Sequence, residues 1–131
     1  MKNNSVIIPV SAAELIDKIT ILEIKSQRIS DKPKLNNIRN ELKVLKQIFT
    51  ETIHKTSKVQ ALIKLLQQVN TKIWDTEDKI RLCEKNQNFG PSFVKVARLV
   101  YLNNDLRSDI KKKINLLIGS GIIEEKSYVE Y

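Results

Sequence analysis

The 131-residue sequence predicts an all-α fold, a four-helix bundle-like domain, on three observations. Apolar residues recur at three- and four-residue steps through most of the chain, as in helices with one buried face. Helix starts and stops are marked by Ser, Asp, Pro and Gly between those periodic runs. Only three glycines and three prolines are present, too few for a sandwich or barrel of many turns. One domain, residues 1–131, is expected, and it is long enough for its own hydrophobic core.

Residues 5–10, SVIIPV, are β-branched and interrupted by Pro9, which suits a short extended arm. Ser11 opens the first helix, about residues 11–30. Ser11 and Glu14 have capping-box spacing, with Val10 and Leu15 placed as a hydrophobic staple. Leu15, Ile19, Leu22 and Ile29 form the expected buried stripe. Glu14, Asp17, Lys18, Lys25 and Arg28 share the opposite arc, spaced for ion pairs. Glu23 falls between Ile16 and Ile19 on the helical wheel, on the apolar side.

Asp31 is the expected cap of a second helix, about residues 32–54, with Pro33 in its first turn. Leu35, Ile38, Leu42, Leu45 and Phe49 supply its stripe. Ser57 and Gln60 have capping-box spacing at the start of a third helix, about residues 57–85. Val59, Leu62, Leu66, Val69, Ile73 and Ile80 lie on one face of it. The shared spacing and tight turn predict a central antiparallel hairpin of the second and third helices. Asn86 to Pro91 is the clearest break. A fourth helix follows, about residues 91–118, with Phe93, Val96, Val100, Ile114 and Ile118 inward and Gly119 and Gly121 stopping it. Residues 122–129 read as a second extended arm, suited to pairing with residues 5–10 within the chain or across a dimer.

One cysteine excludes an intrachain disulfide and a Cys-rich metal cluster, which fits a reducing cytoplasm. No apolar run suggests a secretion signal or a membrane span. The net charge of +8 invites a nucleic-acid partner. Against that reading, lysines are scattered among glutamates, and only Lys111, Lys112 and Lys113 form a run. No aromatics alternate with them as a stacking platform would require.

Two apolar faces turn polar midway. On the third helix, Asn70, Glu77, Arg81 and Glu84 fall inside the arc of leucines and isoleucines; on the fourth, Asn103, Asn104, Arg107 and Lys111 do. Buried charges need partners, so an antiparallel pair of these helices is expected to form a mixed-charge cluster that includes Glu23. Arg81, Arg107 and Lys111, with Asn70, Asn104 and Tyr101, are the candidate ligand-binding residues for a small anion. Glu77, Glu84 and Glu23 are the catalytic candidates, with catalysis itself undecided. The competing reading is a structural network of ion pairs in a protein–protein interaction or homodimerisation module. A further alternative places magnesium on Glu14, Asp17 and Glu77, since the acidic pairs of the first and third helices resemble those of all-helical nucleotide pyrophosphatases. Asp75 and Asp78 point away from the apolar arc on the wheel, which weighs against it. His54 ends the second helix and Cys83 lies near the far end of the third, too far apart for a catalytic dyad.

The blocks SAAELIDKITILEIKSQRI, IRNELKVL, IWDTEDKIRLCE, FVKVARLVYLNNDLR and the closing EEKSY together resemble a bacterial and phage family, the domain of unknown function 6165. The resemblance spans about Ser11 to Tyr128 and implies a stand-alone helical protein of a bacterium or a phage, in the host's cytoplasm if phage-encoded; it implies no activity. Its blocks contain Glu23, Glu77, Arg81, Glu84, Asn104 and Arg107, the polar residues the wheel turns inward. The first block alone is also similar to the opening helix of helical chorismate mutases, where basic residues bind a dicarboxylate.

Overall fold

Helices begin where the chain offers their free N–H groups a partner. The computed structural model describes residues 4–131, and among them are four α-helices: α1 (Ala12–Arg28), α2 (Lys32–Thr52), α3 (Ser57–Lys85) and α4 (Pro91–Ile118). The Ser11 hydroxyl accepts from the Glu14 N–H at 3.1 Å, and the Asp31 carboxylate from the Lys34 N–H at 3.1 Å. For α3 the cap is Thr56, whose hydroxyl accepts from the Val59 N–H at 3.2 Å, and not the expected Ser57. No side chain caps α4; Pro91 sits in its first turn, where a missing N–H leaves nothing unpaired. Gly119 ends α4 with φ of 78°, the left-handed conformation glycine adopts without strain.

The four helices form an all-α, bundle-like fold with α1 at its centre. α1 contacts every other helix, and α3 and α4 make the longest contact. The start of α3 lies beside the end of α4, where Val59, Leu117 and Ile118 border one cleft, so the two run antiparallel. The hairpin is therefore α3–α4. The expected α2–α3 hairpin does not form: no Cα pair between these helices lies within 8 Å, and α2 packs on α1. Heptad spacing says that a face is buried, not which helix covers it. α1, buried at Ala13, Leu15, Ile16, Ile19, Leu22 and Ile24, presents apolar side chains over more than one face and separates the two.

The core joins Ala13 and Ile16 of α1, Leu66 and Val69 of α3, and Ile110 and Ile114 of α4, with Phe49 and Ile53 from the end of α2 packed against it. It occupies one end of the molecule. α1 reaches along α3 as far as Asp75, to which the Arg28 guanidinium donates at 3.0 Å. Beyond that point no other helix supports the hairpin, and no residue from 77 to 109 is buried.

Neither expected arm forms a strand among the described residues. The C-terminal arm instead runs back along α4. Lys112 holds Glu125 at 3.0 Å, and Tyr131 donates to Asp105 while its ring meets Tyr101 edge-on at 5.5 Å. No helix of the described chain is long and apolar enough to cross a membrane.

This asymmetry sets the response to truncation. Leu66→Ala, in the core, should cost about 3 kcal/mol, and Leu82→Ala, on the projecting hairpin, less than about 0.5 kcal/mol, as measured by urea denaturation.

Candidate functional site

A helix that begins inside a protein must find partners for its first N–H groups without help from water. Ser11 and Ala13 are buried, and α1 meets this demand with side chains from the far end of the chain. The Ala13 N–H donates to Asn115 Oδ1 at 2.8 Å, and the Ala12 N–H to Ser120 Oγ at 3.2 Å. Ser11 takes the third donor, Glu14 N–H. The end of α4 thus caps the start of α1.

One turn further on, α1 carries buried polar groups toward α3 and α4. Asp17 is 6% exposed, and its carboxylate accepts from Asn70 Nδ2 at 2.8 Å; the same amide donates to the Thr20 hydroxyl at 2.8 Å. Lys111 reaches in from α4, 2.8 Å from Glu14 and 3.6 Å from Asp17, with Glu124 of the C-terminal arm at 3.6 Å. Asn70 Oδ1 is a buried acceptor without a partner among the described residues. Burial works to raise the Glu14 pKa, but the hydrogen bond from Lys111 and the charges of Lys111, Lys18 and Arg107 outweigh it and hold it below the ordinary value. Burial likewise works to lower that of Lys111, while its hydrogen bond to Glu14 and the charges of Asp17, Glu14 and Glu124 hold it above. Both groups stay charged around neutrality, so the cluster holds fixed charges and is poorly suited to trading protons.

Asp17 was expected on the solvated arc of its helix. It is buried because α1 is enclosed on more than one side, a consequence of topology that spacing within α1 does not reveal.

The other sequence-derived candidates divide into groups. Glu77 and Arg81 pair with each other across one turn at 3.4 Å, on the surface, with the Arg81 side chain 78% exposed. Glu84 is exposed near the end of α3. The expected meeting of Glu77 and Arg81 with Arg107 does not occur. Nothing covers this part of the hairpin, so side chains at the border of the apolar stripe turn outward. Arg107 donates to Asn104 Oδ1 at 3.0 Å and pairs with no carboxylate among the described residues. Asn104, Arg107 and Lys111 do border one small polar void with Glu124 and Lys126. Its volume of about 30 Å³ leaves room for a water or two. Tyr101 lies against Tyr131. Glu14 and Asp17 meet across the Lys111 ammonium, away from Glu77, and no three His, Cys, Asp or Glu side chains among the described residues are grouped to hold a metal ion.

Glu23 leads to a different site. It stands on the wall of a cleft of about 340 Å³ where α1, α2 and the start of α3 converge. Ile16, Ile19, Phe49 and Ile63 supply apolar surface, with Thr20, Lys46, Thr50, Lys55 and Gln67 around them. The two oxygens of Glu23 are separately engaged, one 3.4 Å from Lys46 Nζ and the other accepting from Gln67 Nε2 at 3.0 Å. Lys55, exposed in the α2–α3 turn, has no carboxylate partner among the described residues. Lys46 and Lys55 carried no distinguishing mark in the sequence, being two of 23 basic residues.

Fold and site together define a class: an all-α protein whose central helix is fastened by partly buried ion pairs and borders a cleft of mixed charge. The chain belongs to the family of unknown function DUF6165, whose model matches residues 6–130. No match was found among curated proteins or among solved structures.

Asn115→Ala strands a buried N–H of α1 and should cost about 2 kcal/mol. Arg81→Ala should cost less than about 0.5 kcal/mol. Glu14, with its pKa depressed on folding, contributes stability that is complete above its ordinary value of 4.5 and fades as the pH falls through the folded-state value. Lys111, with its pKa raised, contributes stability that is complete below its ordinary value of 10.5 and fades as the pH climbs through the folded-state value. Denaturation midpoints taken against pH should therefore fall at both extremes, and Glu14→Gln should flatten the acid limb.

Proposed function

We propose that this protein binds a small organic anion with an apolar body in the cleft between α1, α2 and α3. The observation that carries this reading is the make-up of that cleft. Its volume of about 340 Å³ falls in the range of small-molecule sites, about 300–1,000 Å³. Apolar surface from Ile16, Ile19, Phe49 and Ile63 favours a hydrocarbon or ring. Lys55 supplies a cation with no competing carboxylate, suited to a carboxylate or phosphate at one end of the ligand. Glu23 and Gln67, already held to each other, offer an acceptor and a donor for a hydroxyl or amine. Glu23 is the acidic side chain of the cleft lining, its two oxygens held by Lys46 and Gln67.

Thermal-shift measurements with aliphatic and aromatic carboxylates, set against inorganic phosphate, test the reading. Amphipathic acids should raise the melting temperature with saturating dose dependence. The shift should shrink in Lys55→Ala and vanish in Ile63→Trp, which fills the cleft. Indifference to every amphipathic acid at millimolar concentration would overturn the proposal. So would a response to phosphate alone that is lost in Arg107→Ala, which would place the anion on α4 instead.

A further inference from the structure

The outer face of α4, away from α3, has an order of its own. Lys95, Arg98, Leu102, Asp105 and Asp109 follow steps of three, four, three and four, which align them along one side of the helix. Val94, Leu99 and Leu106 flank this line and are 53%, 36% and 44% exposed. Pro91, Val94, Leu99 and Leu102, with Lys95 and Arg98, border a shallow and largely apolar groove on this face. Lys95, Arg98 and Asp109 have no ion-pair partner among the described residues, and Asp105 accepts from Tyr131 of the C-terminal arm, which runs beside Asp105 and Asp109. The line carries two cations, then a leucine, then two anions. It is neutral in a chain of net charge +8.

A pattern of plus, plus, apolar, minus, minus complements itself when reversed. A two-fold axis passing near Leu102 lays the cationic half of each helix against the anionic half of its copy and sets the two Leu102 side chains together. We infer that α4 is a homodimer interface: Leu99, Leu102 and Leu106 pack antiparallel on the same side chains of a second copy, with Lys95 and Arg98 facing the partner's Asp105 and Asp109. A parallel arrangement would oppose like charges. The projecting half of the α3–α4 hairpin, which has no buried residue of its own from 77 to 109, gains the apolar cover it lacks. A single helix against its copy buries less than the roughly 1,600 Å² of a standard interface, so the dimer should dissociate on dilution through the micromolar range.

Sedimentation of the full chain against concentration, with circular dichroism to confirm helicity, tests this. The wild type should pass from monomer to dimer. Leu102→Glu should weaken association by about tenfold or more while leaving helicity intact. Lys95→Glu, and separately Asp109→Lys, should each weaken it as well; Asp109→Lys leaves the Asp105–Tyr131 contact alone. Mixing the two charge variants should restore a dimer, because their altered faces complement one another. A wild type that stays monomeric at about 1 mM, far above the affinity such an interface implies, would overturn the inference. So would a dimer indifferent to Leu102→Glu, or charge variants that fail to recover on mixing.

Discussion

A largely enclosed lysine on one helix, its side chain 14% exposed and set between two carboxylates of another, is the interaction on which the rest of the structure depends. Lys111 crosses from α4 to Glu14 and Asp17 of α1, where the groups are shielded enough that an unmatched charge would be costly. The attraction is strongest with all three side chains present, and removing any one strands the others. That makes the register between α1 and α4 specific in a way that interchangeable leucines and isoleucines cannot. Asn115 and Ser120, from the same end of α4 and the turn after it, take the first N–H groups of α1, so charge and capping fix the same alignment.

With α1 held there, the remaining features follow. Its other apolar side chains are left to α2, which packs on α1 and stays apart from α3. The divergence of α2 and α3 around Ile16 and Ile19 opens the cleft that carries Glu23, Lys46 and Lys55. Because α1 is only 17 residues long while α3 and α4 have 29 and 28, the hairpin outruns its support and projects. A cleft at one end and an uncovered hairpin at the other are both consequences of one short helix wedged among longer ones.

Much of this was legible in the chain. Ser11, Asp31 and Gly119 mark helix ends where the structure has them, and the four helices follow from spacing. The wheel also turned Asn70 and Lys111 inward, and both lie in the polar cluster. Their partners were the part that spacing misassigned. Acids were expected at Glu77 and Glu84 of the neighbouring helix and at Glu23 of α1, whereas they are Glu14 and Asp17, nearer the start of α1. Periodicity within a helix records how wide its buried face is, not which helix covers it, and a helix enclosed on several sides buries residues that a single-face wheel assigns to water. Lys46 and Lys55 were hidden for a different reason: a lysine beside a cleft looks like any other lysine until α2 and α3 are placed.

The most direct test of this account is the cost of Lys111→Met measured in two backgrounds, the natural chain and one carrying Glu14→Gln with Asp17→Asn. If Lys111 fastens α4 to α1 through those carboxylates, the substitution should be far less costly in the second background, by at least about 1.5 kcal/mol of coupling. Equal cost in both would mean that Lys111 acts independently of Glu14 and Asp17, and the central interaction would have to be sought elsewhere.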